Sequence, residues 1–302
     1  MHRITDIVKR IVANLLFSLL YILQWKKGTV YANLDATLNT GDSCKCNPQI
    51  VYLKTLRNLS RHVSDILFEF GIYKKLPKSL ADYPCNVPGK QFEIADGSKA
   101  ALEKMRGGGI FLTAHYGNYE AIGPWLCRLG IPLKASYIPL KPTWLNRIVE
   151  RRIRAVDGKR YSVNARTPRE FLRILDEKNL FCLLMDQDSR IASAAKGTFM
   201  GREVHVNPLP DFLLKHRPET PVFICWMEEK GQCKKLHAIE VEREKEFRTK
   251  SGTTNNEAMQ PGMTVSGTFN RWLGDRIDED PTLWYGWTHR RFYSCDAEMY
   301  KK

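Results

Sequence analysis

Residues 107–129, GGGIFLTAHYGNYEAIGPWLCRL, constrain the chain more than any other stretch, because they read as a buried strand, a sharp turn and an amphipathic helix in direct succession. Ile110 to Ala114 is a short apolar run behind a glycine triplet, the pattern of a strand covered on both faces. Gly117 and Asn118 then supply turn chemistry and a helix N-cap, after which Glu120, Ile122, Trp125, Leu126 and Leu129 recur at helical spacing. On one continuous helix, residues five apart point about 140° away from each other, so His115 and Glu120 would be separated there. With His115 in the preceding turn, they can meet.

An imidazole held by a carboxylate is half of a hydroxyl-activating site. The carboxylate fixes the tautomer and stabilises the imidazolium, and the second ring nitrogen is left free to take a proton from an alcohol. The plainer alternative is a capped helix following a strand that ends in histidine. Other chemistries lack their usual signatures: there is no Gly-x-Ser-x-Gly elbow, no phosphate-binding Gly-x-x-x-x-Gly-Lys-Ser/Thr loop and no Gly-x-Gly-x-x-Gly behind a strand.

HYGNYE resembles the His-x-x-x-x-acidic signature of the lysophospholipid acyltransferase superfamily, in the His-x-Gly-Asn-x-Glu form of the bacterial lipid A biosynthesis (lauroyl/myristoyl) acyltransferase family. Further pieces follow in the same order: DQD at Asp186 to Asp188, FMG at Phe199 to Gly201, and DPTLWYGWTHRRF from Asp280 to Phe292. The likeness covers residues 95–293 and continues more weakly into the N-terminal helix. It implies an α/β fold with a mixed central sheet flanked by helices, resembling glycerolipid acyltransferases, with an anchor at residues 1–27 and an acyltransferase domain at 28–302.

The chemistry so implied is direct acyl transfer, with His115 as general base and Glu120 orienting it. The implied donor is acyl carrier protein or acyl-CoA. The implied acceptor is a lipid A precursor or related glycolipid at the cytoplasmic face of a bacterial inner membrane, with no cofactor and no metal. Candidate substrate-binding residues are Asn118, Tyr137, Lys141, Arg151, Arg154, Asp186, Asp188 and Arg290. The chain departs from the family in having Tyr137, Ile138 and Pro139 where Tyr-Arg-Pro is common, so Lys141 or an arginine among Arg151, Arg152 and Arg154 has to supply that basic contact.

A formal net charge of +14 over 302 residues points to acidic partners such as anionic lipid, phosphorylated substrate or an acidic carrier protein. Nucleic acid is disfavoured, since aromatics do not interleave with the basic residues in any known module pattern. Between Lys141 and Arg173 there are ten basic and three acidic residues, which reads either as a phosphate-facing patch or as an ordinary basic surface. The eight cysteines include no Cys-x-x-Cys pair, and Cys127, Cys182 and Cys225 sit in apolar runs, as expected of free thiols in a reducing compartment.

At the N-terminus, Ile4, Ile7, Val8, Ile11, Val12, Leu15, Leu16, Leu19, Leu20 and Leu23 share one helical face. The apolar stretch from Ile11 to Trp25 is shorter than the roughly 20 residues a span requires and is flanked by basic residues, so it reads as an interfacial or shallow anchor. A cleaved signal peptide and a helix packed on the protein's own surface are the alternatives. Gly28 to Gln49 reads as a linker or a loosely packed excursion. A helix is expected over Ile50–Phe70, burying Leu53, Leu56, Leu59, Val63, Ile66, Leu67 and Phe70, then loop at Pro77–Pro88 and a short helix at Gly97–Met105. Strands follow at Leu133–Ile138, Leu180–Met185, Pro221–Trp226 and Leu236–Val241, with helices at Pro142–Val156, Thr167–Lys178, Pro208–His216 and Thr264–Ile277. Ser189–His205 reads as a mobile active-site loop.

Overall fold

The computed structural model describes residues 2–39, 46–87, 89–136, 141–152, 154–157, 159–242 and 264–301. Three helices come first, α1 (His2–Ile22), α2 (Lys27–Thr37) and α3 (Pro48–Phe68). Strands β1 (Cys85–Val87) and β2 (Lys90–Ile94) and helix α4 (Ser98–Met105) lead into β3 (Gly109–Thr113). Then follow α5 (Ile122–Arg128), β4 (Leu133–Ser136), α6 (Thr143–Arg152), the short strands β5 (Ala155–Val156), β6 (Lys159–Arg160) and β7 (Ser162–Val163), α7 (Pro168–Asp176) and β8 (Leu180–Leu184). A hairpin of β9 (Ala195–Phe199) and β10 (Arg202–Val206) precedes α8 (Leu209–His216), the long pair β11 (Val222–Lys230) and β12 (Cys233–Glu240), and α9 (Val265–Glu279).

Eight strands form one mixed sheet in the order β1-β2-β12-β11-β3-β8-β4-β7. From β11 through β3, β8 and β4 to β7 every neighbouring pair is parallel, whereas β12 returns antiparallel to β11. The architecture is therefore α/β, a large mixed central sheet flanked by helices. β3 lies at its centre because the run Gly109 to Thr113 is buried at every residue, as a strand with both faces covered must be. Its side chains alternate: Ile110 and Leu112 enter the core cluster on one face, Phe111 the cluster on the other. β11 divides likewise, with Val222 and Ile224 on the first side and Phe223 and Cys225 on the second.

The stretch expected as one helix over Pro142–Val156 is α6 followed by the strand β5, and the structure departs from the sequence reading in four larger ways. The expected linker holds α2, whose Asn33 is fully buried and donates 2.8 Å hydrogen bonds to the carbonyls of Trp287 and His289. A polar residue that ties two distant segments together has no local periodicity to announce it. The loop at Pro77–Pro88 contains β1, an edge strand set by its pairing with β2. The expected mobile loop is partly the β9–β10 hairpin, turning where Met200 and Gly201 take positive φ. On α3 the fully buried set is Val51, Tyr52, Thr55, Leu56, Ser60, His62, Ser64 and Asp65, while Leu53, Leu59, Val63, Ile66 and Leu67 are only half-buried. That helix is covered on two sides, by α1 and by the protein body, so its polar stripe is enclosed too. The seven described cysteines are all free thiols; Cys44 lies outside the described residues.

The acidic end of the enclosed stripe is paired with cations. Lys9 of α1 pairs with Glu69 and, at 2.6 Å, with Asp65; Lys90 meets Glu69 at 2.5 Å; Lys234, 3% exposed, pairs with Glu229. Burial alone would drive Lys234 toward the neutral amine, but Tyr73, Glu229 and Asp65 outweigh it and hold its pKa above the ordinary lysine value. A buried pair of this kind adds little net stability, yet breaking one half of it strands the other. Lys234→Met should therefore lower the unfolding free energy by about 1–3 kcal/mol in urea denaturation, because the enclosed carboxylates Asp65 and Glu69 lose a neighbouring cation while Glu229, open to solvent, can take up water in its place.

Candidate functional site

The site is assembled by strand register. Thr113 of β3 pairs with Leu184 of β8, so the residues two further along each strand, His115 and Asp186, leave the sheet side by side at the carboxyl edge. Ligands bind at this edge in open α/β sheets. His115 Nδ1 donates to Asp186 Oδ1 at 2.8 Å, and the backbone N–H of His115 donates to Asp186 Oδ2 at 3.1 Å. Trp284 Nε1 completes the set, donating to Oδ2 at 2.9 Å. Asp186 has no solvent exposure, while the His115 side chain keeps 19%.

Burial pushes the Asp186 carboxyl up, but the His115 charge, its hydrogen bond and those of Trp284 and the backbone bring it down to about 2. It is an acceptor only, so Nδ1 carries the imidazole proton and Nε2 of neutral His115 is unprotonated. Burial also disfavours the imidazolium of His115, and Asp186, with a smaller contribution from Glu120, overcomes that and raises its pKa above the ordinary 6.5. This is the orienter and base arrangement of a hydroxyl-activating pair.

The sequence pattern assigns the orienting carboxylate to Glu120, and the structure gives that place to Asp186. Glu120 sits in a single 3-10 turn, Tyr119–Ala121, that opens α5. It makes no hydrogen bond to His115 and acts on it only through space; burial raises its pKa against the opposing charges of Arg154 and His115. The sequence separation is compatible with a meeting of His115 and Glu120, but only the pairing of β3 with β8 brings a carboxylate into direct contact with the ring.

Asn118 stands at the expected N-cap position, opening the 3-10 turn, but its side chain makes no capping bond. It reaches the ion cluster, donating to Glu229 Oε1 at 2.9 Å and approaching Asp65 Oδ2 at 3.4 Å. Gly117 beside it has φ +56°, and a Cβ there would stand 3.0 Å from the Met227 carbonyl, so the turn needs glycine twice over. Tyr119 packs against two imidazoles, its ring centre 4.9 Å from those of both His62 and His115. His62 is 5% exposed, and burial, opposed by Glu229, lowers its pKa to about 4.

The carboxyl-terminal segment straps the turn down. Tyr285 N–H donates to the His115 carbonyl at 2.8 Å and Gly117 N–H to the Leu283 carbonyl at 2.9 Å. At Gly286 a Cβ would meet the Trp284 indole at 2.0 Å, so the close passage that lets Trp284 reach Asp186 requires glycine. His289 is exposed, its ring centre 5.9 Å from that of His115 and its Nε2 3.3 Å from Gln187 Nε2. Arg291, fully buried, donates to the carbonyls of Gln187 at 2.9 Å and His205 at 3.0 Å; burial lowers its pKa to about 10 against Asp186 and Asp188.

The remaining sequence candidates divide. Arg154 lies close enough to bias Glu120 and Tyr119 electrostatically. Asp188 turns away from Asp186, accepting from Ser294 Oγ at 2.8 Å and Arg190 Nε at 3.3 Å. Arg290 is exposed, its guanidinium 5.7 Å and 5.8 Å from the ring centres of Tyr293 and Tyr300. Lys141 and Arg151 are exposed, and among the described residues no hydrogen bond or ion pair joins them to His115, Glu120 or Asp186. Tyr137, with Ile138 and Pro139, lies outside the described residues. Sequence reasoning missed Trp284 as the third donor to Asp186, Gln187 and Asn33; the tryptophan-rich end is visible as a cluster, but its contacts come from chain folding over more than 90 residues. Among the described residues no group of three or more His, Cys, Asp or Glu side chains could hold a metal ion. Set against known proteins, the chain matches no family model and no curated sequence.

Two titrations check this geometry. Asp186→Asn should bring the His115 pKa down from above 6.5, read by NMR of the ring nitrogens, because the replacement removes the charge that outweighs burial. His62 is neutral in the fold down to about 4 but protonates near 6.5 when unfolded, so the unfolded state binds the extra proton between these values and acid weakens the fold. The loss should approach about 3 kcal/mol by pH 4, since each pH unit separating the folded and unfolded values is worth about 1.4 kcal/mol, and His62→Phe should flatten it in denaturant titrations at each pH.

Proposed function

We propose that the protein is a membrane-associated acyltransferase that moves a fatty acyl chain from a thioester to a hydroxyl group of a glycolipid. The observation that carries this reading is the 2.8 Å bond from His115 Nδ1 to Asp186, which leaves Nε2 without a proton and able to act as a base. In the reaction, Nε2 takes the hydroxyl proton as the oxygen attacks the thioester carbonyl. The carbon–sulfur bond then breaks, and the imidazolium returns its proton to the leaving thiolate. Asp186 holds the tautomer and stabilises the imidazolium, and Glu120 adds negative potential from one side.

The substrate assignment rests on the sequence resemblance and on charge. Acyl carrier protein or acyl-CoA is the proposed donor and a lipid A precursor or related glycolipid the proposed acceptor; all are acidic and suit a chain of net charge +14. The proposed location is the cytoplasmic face of a bacterial inner membrane. Among the described residues no helix is long and apolar enough to cross a membrane. α1 suits a lipid surface in another way: one face packs on α3 through Lys9, Ala13 and Phe17, while Ile7, Ile11, Leu15, Leu19, Ile22 and Leu23 are each more than half exposed on the other. An amphipathic helix with that division lies in the interface, where burying each large apolar side chain contributes about 1.5–3 kcal/mol.

Incubation of purified protein with each donor and with glycolipid or lysophospholipid acceptors, followed by mass spectrometry, tests the proposal. Acylation of glycolipid is expected; transfer to lysophospholipid alone from acyl-CoA would reassign the acceptor, and no transfer in any combination would overturn the reading. His115→Ala should slow the reaction by about 10²- to 10⁴-fold, the range for losing a general base. The rate should climb with pH through a value above 6.5, since only the neutral imidazole accepts the proton, and Asp186→Asn should shift that limb to lower pH.

A further inference from the structure

A second concave site lies at the opposite end of the sheet. Arg106 and Asn179 precede β3 and β8, whereas His115 and Asp186 follow them, so a cavity lined by the first pair is roughly 20 Å from the base along the strand direction. Its volume is about 690 Å³, within the roughly 300–1,000 Å³ of small-molecule sites. The rim draws on separate elements: Lys78 before β1, Arg106 after α4, Arg128 at the end of α5, Lys134 in β4, and Lys159 and Arg160 in β6. Six cations thus face one carboxylate, Asp157.

That carboxylate is already engaged, accepting from Arg128 Nη1 at 3.2 Å, while Arg128 Nε is held by the Leu76 carbonyl at 2.6 Å. Arg106 pairs with Glu103 at 2.8 Å and Arg160 approaches Glu150 at 3.4 Å. Lys78, Lys134 and Lys159 pair with no carboxylate among the described residues. Lys134 weighs most, because it is half-buried, and a partly desolvated ammonium without a counter-charge is unfavourable unless an anion joins it. The floor of Leu129, Ile131 and Val156 is apolar and closed to solvent or nearly so. None of the large apolar side chains that stand exposed on the molecule lines the cavity, so an acyl tail would find nothing there to cover it.

We propose that this cavity binds a soluble ligand carrying two or more phosphate groups, such as a nucleoside bisphosphate. Lys134 and Lys159 contact phosphate as mobile point charges, and the guanidinium groups of Arg106 and Arg160 offer planar forks to its oxygens. The site is independent of the acyl-transfer reading and shares no lining residue with the His115 group.

Calorimetric titration of the full chain with adenosine 3′,5′-bisphosphate and with pyrophosphate should give saturable binding at one site per chain. Lys134→Gln combined with Lys159→Gln should weaken it at least tenfold while the far-ultraviolet dichroism and melting temperature stay unchanged. In the unsubstituted protein the same ligands should shield Lys134 and Lys159 from an amine-acylating reagent, read by peptide mass spectrometry, which guards against a misfolded variant. Absence of saturable binding, affinity unaffected by the substitutions, or protection of these lysines by anionic phospholipid vesicles alone would overturn the proposal.

Discussion

Everything at the carboxyl edge of the sheet depends on one fully buried carboxylate. Asp186 collects a ring N–H, a backbone N–H and an indole N–H, and a charge so enclosed persists only because each of these donors is in place. Two of its donors come from His115 at the end of β3 and the third from a segment almost 100 residues further along the chain than Asp186 itself. The local fold is thus over-determined. Moving the Trp284 strap, the β3 turn or β8 would each strand the charge, and so the position of the His115 ring is set by the cost of leaving Asp186 unpaired.

A second, partly enclosed electrostatic centre stands beside the first. Lys9, Asp65, Glu69, Lys90, Glu229 and Lys234 link α1, α3 and the β11–β12 hairpin, and Asn118 reaches into this group from the turn that carries His115. The helix with the exposed apolar face is therefore joined to the site turn by a short series of charged contacts. Helix α3 also supplies His62, whose ring packs against that of Tyr119. Polar groups enclosed like this are costly unless all are satisfied, and they fix which way α1 and α3 pack more tightly than apolar contacts would.

Positive charge is distributed unevenly around these centres. Arg154 stands near Glu120, whereas Lys141 and Arg151 remain on the surface. The density of basic residues after Lys141 was legible in the sequence, but its meaning was not, because charge count carries no direction. Lys159 and Arg160 from that run face the cavity at the far end of the sheet together with Lys78, Arg106, Arg128 and Lys134, residues that no sequence window would group.

The apolar run at Ile110–Ala114, the similar runs that form β8 and β11, and the capped helices between them were readable because burial on both faces leaves a continuous local pattern. The helix expected over Thr167–Lys178 is α7, where Thr167 and Glu170 form a capping box. Those local patterns determined the α/β class, the place of His115 at a strand end and the presence of acidic residues near it. Tertiary structure alone decided that Asp186, and not Glu120, holds the ring, that Trp284 and Asn33 brace the site, and that α3 buries its polar stripe. The reason is that strand register and helix facing are settled by contacts between distant segments, and a single donor or acceptor in such a contact leaves no periodic trace along the chain.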